Sequence, residues 1–305
     1  MNLPRTALAI GFLVIPFTKY QGLGNDFVLI DNRGQQDPLL SLEQARQVCD
    51  RNFGVGGDGV IFLLPSISQP HAMRIFNSDG SEAQMCGNGI RCLAKFMREL
   101  NIPTEDGGYS IETKAGLIVP RFDGEQVTVD MGPPRLSAEE IPTTLVPKGE
   151  KVLNLPLPEP CPSRLRLPDT TGLGRRSFFN VTTVSMGNPH AVLFVDDLEQ
   201  VDLANWGPAI ESHPAFPERT NVHFVQVLNP THLKVKVWER GAGPTLACGT
   251  GACAILVAAV LNQKAEKRAT VELPGGPLEI YWHDNNHVFM TGPAQKVFVG
   301  QLFVS

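Results

Sequence analysis

The chain has no Cys-x-x-Cys pair and no Cys/His spacing of the kind that holds zinc. Its six cysteines (Cys49, Cys86, Cys92, Cys161, Cys248 and Cys253) therefore carry no metal signature, and no metal is expected. They are also sparse for a disulfide scaffold in a chain of 305 residues, and are read as reduced thiols of a cytoplasmic protein. Charge is modest: 19% of residues are charged, the net charge is −5, and no basic stripe appears. Nucleic acid and anionic membrane surfaces are thereby excluded as partners. The apolar run Ala7 to Ile15 follows Arg5 and has the length of a signal-peptide core, but no A-x-A cleavage site follows it. It is also too short to span a bilayer, so residues 1–15 are read as an extension ahead of the folded domain. A nucleotide fingerprint is missing too. Gly54-Val55-Gly56-Gly57-Asp58-Gly59 looks like one only superficially, because it follows a predicted helix instead of opening one after a strand. With no pyridoxal-phosphate lysine signal either, no cofactor is expected.

What the chain does have, it has twice. Met85-Cys86-Gly87-Asn88-Gly89-Ile90-Arg91-Cys92 and Ala247-Cys248-Gly249-Thr250-Gly251-Ala252-Cys253 each place a cysteine and Gly-x-Gly at the start of an apolar helical run. Cys86 and Cys248 are 162 positions apart, and Arg74-Ile75-Phe76-Asn77 meets Lys236-Val237-Trp238-Glu239 at the same offset. Asn25 meets Asn188 at 163, and Gly116 meets Gly276 at 160. A period of this size is one fold used twice, not a solenoid. The chain length agrees with two domains, and an apolar fraction of 42% suffices for two cores. The reading is an N-terminal lobe over residues 16–131, a C-terminal lobe over 132–292, and the Pro-rich stretch Gly132 to Pro168 as the junction.

The local patterns fill in these lobes. Ser41-Leu42-Glu43-Gln44 has capping-box form and predicts a helix to about Arg51. Strands are expected at Phe27–Asp31, Val60–Leu64, Met73–Phe76, Tyr109–Thr113, Leu117–Phe122 and Gln126–Met131. The second lobe repeats the order, with strands at Ser177–Val184, Ala191–Val195, Val222–Val227 and Leu233–Glu239 and a helix near Leu203–Ser212. Ala252 to Leu261 is apolar nearly all round, which predicts a helix enclosed by protein. Because strands follow strands directly, the class is α+β and not doubly wound: two pseudo-symmetric lobes, each a mostly antiparallel β-sheet or barrel wrapped around a central helix, with the active site in the cleft between them.

A cysteine followed by Gly-x-Gly at a helix start sits where backbone N–H groups are unpaired and the macrodipole is positive. Such an element binds a carboxylate and lowers a nearby thiol pKa from its usual ~8.5. Two of them can hold one carboxylate and offer a base and an acid to one carbon, the requirement for inverting an amino acid's α-centre. Donors aimed at the developing enediolate are then each worth ~3–4 kcal/mol. Cys92 and Cys253 lie deeper in the helices and read as core, as do Cys49 and Cys161. Asn25, Asn77, Asn188 and Asn221 fall at strand ends or turns, where asparagine also serves the local backbone. His190 follows Asn188-Pro189 in the counterpart of the Asn25 turn.

The segments KYQGLGNDFVLID, RIFNSDGSEAQMCGNGIRC, SMGNPH, ERTNVHF, WERGAG and TLACGTGACA resemble the diaminopimelate epimerase family, in order and across nearly the whole chain after Pro16. That resemblance implies a cofactor-independent epimerase acting on LL- and meso-2,6-diaminopimelate, in lysine and peptidoglycan-precursor synthesis. By position, Cys86 and Cys248 match the acid/base pair, and Gly87-Asn88 and Gly249-Thr250 match the backbone clamp on the reacting carboxylate. Asn25, Asn77, Asn188, Asn221, Glu239 and Arg240 match the remaining substrate positions. His190 and Glu239 match residues that tune the thiols. Two departures stand out: some members carry a substrate-contacting Gln where this chain has Gly59, and a Tyr supporting the homodimer where it has Phe298. The family also returns its last strand, about residues 293–305, to the first lobe.

Three other readings stay open from sequence. A proline racemase or hydroxyproline epimerase also uses paired cysteines, although that family commonly has His at the position of Asn88. A thiol redox protein would cycle Cys86 and Cys248 through a disulfide. A non-catalytic module would bind diaminopimelate without exchanging its α-hydrogen.

Overall fold

The structure, a computed structural model, describes residues 13–158 and 179–304. Cys161 and most of residues 1–15 lie outside them. The chain divides into two compact units, one made of residues up to Val127 together with Pro293 onward, the other Thr128–Gly292. In chain order the first unit contains β1 (Leu13–Gly22), β2 (Asn25–Asp31), α1 (Leu42–Cys49), β3 (Gly59–Leu64), β4 (His71–Asn77), β5 (Glu82–Ala83), α2 (Gly87–Glu99), β6 (Ile111–Thr113), β7 (Gly116–Ile118) and β8 (Arg121–Asp123). Then β9 (Gln126–Asp130) crosses the boundary. The second unit continues with β10 (Leu155–Pro156), β11 (Asn180–Ser185), β12 (Pro189–Phe194), α3 (Leu203–Glu211), β13 (Asn221–Asn229), β14 (His232–Glu239), β15 (Gly243–Pro244), α4 (Gly249–Leu261), β16 (Arg268–Leu273), β17 (Gly276–Trp282) and β18 (Val288–Gly292). Finally β19 (Gln295–Val304) closes the first unit.

Each unit repeats the other's pairing. The first sheet runs β19-β1-β2-β3-β4-β6-β7 with β5 on β4, and the second runs β10-β11-β12-β13-β14-β16-β17-β18-β9-β8 with β15 on β14. From β1 to β7 the pairs alternate antiparallel, parallel, antiparallel, parallel, antiparallel. From β11 to β17 the alternation is the same. The parallel steps fall where a helix intervenes, because parallel neighbours need a crossover and a hairpin cannot supply one. Thus α1 and α2 serve β2/β3 and β4/β6, and α3 and α4 serve β12/β13 and β14/β16.

Local chemistry starts and stops these elements. Ser41 caps α1 through its hydroxyl while the Gln44 side chain returns to the Ser41 N–H, a reciprocal pair worth about 1 kcal/mol. The core of the first unit on the α1 side gathers Val28, Ile30, Val60, Phe62 and Phe76 with Ala45 and Val48. In the second unit, Phe179, Trp206, Phe224 and Leu193 fill the α3 side. The opposite sheet faces receive α2, buried from Gly87 to Met97, and α4, buried over most of its length. Ile255, Leu256 and Val257 are wholly inaccessible, each worth about 1.5–3 kcal/mol of transfer free energy.

Two local expectations need correction. Ile15 is only 1% exposed and β1 starts at Leu13, so the last residues of the apolar run belong to the fold and not to an extension. The strand expected over Leu117–Phe122 is two, β7 and β8, because Pro120 between them has no N–H to continue a ladder.

Candidate functional site

The chemistry-bearing residues gather at the N-terminus of the buried helix in each unit. In the first unit Cys86 is the N-cap of α2, with extended backbone, and its sulfur accepts from the Gly89 N–H at 3.4 Å. Gly87 and Asn88 are the first two helical residues, where N–H groups have no intrahelical acceptor. The Cys86 thiol donates to Asn25 Oδ1 at 3.7 Å, and Asn88 Nδ2 donates to the same oxygen at 3.1 Å. Asn25 opens β2 just after the turn at Leu23-Gly24, where both residues adopt positive φ.

Behind Asn25 stands a charged network that sequence reasoning missed. Asn25 Nδ2 donates to Asp58 Oδ2 at 2.6 Å, and the Asp26 N–H reaches the same oxygen at 3.1 Å. Arg51 joins Asp58 to Asp26, and Lys19, nearly buried, holds Asp26 at 2.6 Å. Burial opposes ionisation of Asp26, but hydrogen bonds from Arg51 and Lys19 outweigh it and hold its carboxyl below the usual range. Asp58 belongs to the glycine loop set aside above as a nucleotide look-alike. The loop's position beside the Asn25 turn only emerges once β2 and β3 pair in register, Phe27 against Gly59.

Asn77 ends β4 and donates from Nδ2 to Ser81 Oγ at 2.9 Å. It pairs with Gly59 across β3/β4. A Cβ at Gly59 would stand 2.9 Å from the Phe76 carbonyl oxygen, so a side chain there would force the β4 backbone to move.

In the second unit Cys248 caps α4 and is only 4% exposed. Its sulfur lies 3.7 Å from Thr250 Oγ1. The sequence leads one to expect a lowered thiol pKa here, and the structure reverses that. Burial pushes the Cys248 thiol well up, Glu239 pushes it further, and the hydrogen bonds of Thr250 and Gly251 only partly compensate. Glu239, ending β14, accepts from Thr245 Oγ1 at 2.5 Å. Asn221 accepts the Arg240 N–H at 3.0 Å and donates to the Pro189 carbonyl at 2.8 Å, while the exposed Arg240 guanidinium reaches the Glu218 carbonyl at 3.0 Å. His190 Nε2 meets Asn188 Oδ1 at 2.9 Å, and its Nδ1 meets His223 Nε2 at 2.9 Å. His223 is the second residue missed. It follows Asn221 by two positions and so shares its strand face.

Cys92 and Cys253 are wholly buried in their helices, and Cys49, the last residue of α1, is buried as well. Burial raises the Cys92 thiol to about 12 and that of Cys49 to about 11, as inert core thiols require. Phe298 lies on β19, 45% exposed, its ring edge-on to Phe17 at 5.8 Å. Among the described residues no group of three or more His, Cys, Asp or Glu could hold a metal ion, and no helix is long and apolar enough to cross a membrane.

Comparison with known proteins bears on this arrangement. A family model described as diaminopimelate epimerase matches residues 17–137 and 182–297. A curated diaminopimelate epimerase from a Synechococcus species is 60% identical over 293 residues, covering 94% of this chain and 97% of the relative. Another from a Cyanothece species is 59% identical, covering 94% and 99%. Among solved structures, a phenazine biosynthesis protein of the PhzF family from Bacillus anthracis shares the fold with a TM-score of 0.66 at 16% identity, over 96% of this chain and all of that one. A probable proline racemase from Agrobacterium radiobacter has a TM-score of 0.64 at 14% identity, over 94% of this chain and 92% of that one. At these identities the solved structures speak for the fold alone.

Proposed function

The chain belongs to the diaminopimelate epimerase family, and from that premise we propose that it interconverts LL- and meso-2,6-diaminopimelate without a cofactor, as a step toward lysine and peptidoglycan precursors. The observation that carries the reading is the repeated one: a cysteine as N-cap of a buried helix, with Gly-x-Gly after it, once in each unit.

In the proposed reaction one cysteine, as thiolate, takes the α-proton from one face. The electron pair moves into the carboxylate as an enediolate, and the other cysteine, as thiol, returns a proton to the opposite face. One S–H bond forms and one breaks, so the enzyme ends with its thiol states exchanged. The first N–H groups of α2 and α4, at Gly87-Asn88 and Gly249-Thr250, fit the negative charge that develops on the carboxylate. Glu239 beside Cys248 favours the protonated thiol and so sets one member of the pair as the acid. The Arg240 guanidinium has further N–H groups for a distal carboxylate, with Asn25, Asn77, Asn188 and Asn221 around the amino acid centres. Thiols that must stay reduced to work fit the cytoplasm.

The test is exchange at the α-carbon. Reduced protein with LL-diaminopimelate in D₂O is expected to lose the α-proton signal as the meso isomer appears by NMR. No exchange with diaminopimelate, but exchange with proline or 4-hydroxyproline, would move the assignment to the racemase reading.

A homodimer is the proposed assembly, supported by the edge strand of the first unit. β19 exposes Val297, Phe298, Val299 and Phe303, at 45–70% each, and is an edge strand of its sheet among the described residues. Val14 lies opposite Phe303 in the register with β1 and extends the apolar face. An exposed apolar edge of this length invites a second strand. Val299→Glu with Phe303→Glu is expected to convert a dimer into a monomer by light scattering; a monomeric parent protein would remove the proposal.

A further inference from the structure

The two units place different residues at equivalent points, and the difference is informative. Asn25 corresponds to Asn188, Cys86 to Cys248 and Gly89 to Gly251. By the same offsets Phe27 corresponds to His190 and Ile61 to His223. The strand registers agree, since Phe27 pairs with Gly59 and His190 with Asn221 at the same step of β2/β3 and β12/β13. Ile61 packs against Gly89 in the first unit, and a Cβ on Gly89 would meet its Cδ1 at 2.9 Å. In the second unit a Cβ on Gly251 would stand 2.5 Å from His223 Cε1 and 3.0 Å from Cys248 Sγ. The fold therefore accepts an apolar pair here, and the second unit replaces it with two imidazoles that are 0% exposed. Burying polar rings is unfavourable unless they are bonded, so the pair needs a reason beyond packing.

The bonding pattern supplies one. Among the described residues the buried His223 Nδ1 has no hydrogen-bond partner. An orphan acceptor is tolerated better than an orphan N–H, which puts the His223 proton on Nε2. That N–H donates to His190 Nδ1 at 2.9 Å, leaving the His190 proton on Nε2. His190 Nε2–H in turn donates to Asn188 Oδ1 at 2.9 Å, which turns the Asn188 amide so that its Nδ2 faces away from the imidazole. Burial keeps both rings neutral, His223 falling to about 3 and His190 well below its ordinary value, so the chain of donors persists across the working range.

We propose that His223 is a positioning residue: its Nε2–H fixes the tautomer of His190 and thereby the orientation of the Asn188 amide beside the Cys248 half of the site. The inference rests on the epimerase reading only for the role of Asn188 toward substrate. The tautomer chain itself holds whatever the substrate is.

The test therefore has two arms. In the first, imidazole ¹⁵N NMR of the ligand-free protein is expected to show both histidines neutral with the proton on Nε2. His223→Ile, the residue that the first unit uses, is expected to fold with an undiminished melting temperature. In it His190 should lose its single tautomer and begin to titrate at higher pH. His223→Gln, whose amide can donate to His190 Nδ1, is expected to restore the Nε2–H form. In the second arm kcat/KM for diaminopimelate falls about tenfold in His223→Ile and recovers at least half of that in His223→Gln, as loss and return of one buried hydrogen bond. A parent spectrum with the His190 proton on Nδ1, or a His223→Ile variant whose His190 spectrum is unchanged, would overturn the proposal. Loss of the NMR signature and loss of activity are separable, so a protein inactive on diaminopimelate still decides the first arm.

Discussion

Cys86→Ala and Cys248→Ala are each expected to lower epimerisation by at least about 10³-fold, while each variant still exchanges the α-hydrogen of one stereoisomer. General acid–base groups contribute about 10²–10⁴-fold apiece, and inversion needs both faces served in one turnover, so neither thiol can stand in for the other. Exchange differs, because a single remaining thiol can remove and return hydrogen on its own face. Cys248→Ala should then exchange the isomer whose α-hydrogen meets Cys86, and Cys86→Ala the other isomer. Neither change disturbs packing much, since alanine keeps the helix start and removes one sulfur from positions that are partly or wholly buried at a cap. Melting temperatures close to the parent's would show that the loss is chemical. Measured in D₂O with LL- and meso-diaminopimelate in separate tubes, epimerisation within tenfold of the parent in either variant would sink the two-thiol mechanism. A double variant that retains exchange would sink it as well.

The cysteines could be found from sequence because their signal is local and doubled. A thiol, two glycines and a helical run lie within eight positions, and the duplication sets the pair apart from Cys49, Cys92 and Cys253, which have the same side chain without the turn. The capping box at Ser41–Gln44 is local in the same way, and so is the all-round apolar character of α4. His223 and Asp58 were not legible because what makes them matter is non-local. His223 reads as one residue of a β-rich run until β12 and β13 pair, bringing together positions 33 apart. Asp58 reads as loop punctuation until its carboxylate meets Asn25, also 33 positions away. One signal was within reach. Extending the offset of 162 to every position would have set Ile61 against His223, and the offset of 163 Phe27 against His190. Those are two places where a buried core residue in the first unit becomes a fully buried imidazole in the second. The sign of the Cys248 shift was out of reach for a different reason. The helix dipole is implied by sequence, whereas the burial that outweighs it, and the Glu239 carboxylate that adds to it, come from packing.

Asp58→Asn is expected to reduce kcat/KM by about 10–100-fold, although Asp58 is proposed to touch neither the substrate nor a thiol. An asparagine amide can point its oxygen either way, and the Asp58 carboxylate settles the choice for Asn25. A charged acceptor 2.6 Å from Nδ2 leaves Oδ1 toward Asn88 Nδ2 and the Cys86 thiol. A hydrogen bond to a charged group is worth about 1.5–3 kcal/mol, which converts to roughly 10–150-fold if the orientation of Asn25 matters in the transition state. Asn at position 58 can itself donate, so the constraint on Asn25 is lost while the shape is kept. The control is Arg51→Met. It removes the well-exposed partner shared by Asp58 and Asp26 but leaves the Asp58–Asn25 bond and the Lys19–Asp26 pair in place. An exposed ion pair contributes about 0–1 kcal/mol, so this variant should stay within about fivefold of the parent. Asp26 is held low in the folded protein, so the stability it contributes is complete above the ordinary carboxylate range and lost as pH falls below it. Asp58→Asn keeps both cations on Asp26, so its acid unfolding should follow the parent's, whereas Arg51→Met removes one of the two groups that hold Asp26 low and should narrow that acid margin. Equal losses of kcat/KM in Asp58→Asn and Arg51→Met would mean that the network acts through general stability. A large loss confined to Asp58→Asn means that the direction of one amide, set from behind by a carboxylate in a glycine loop, governs how Cys86 meets its substrate.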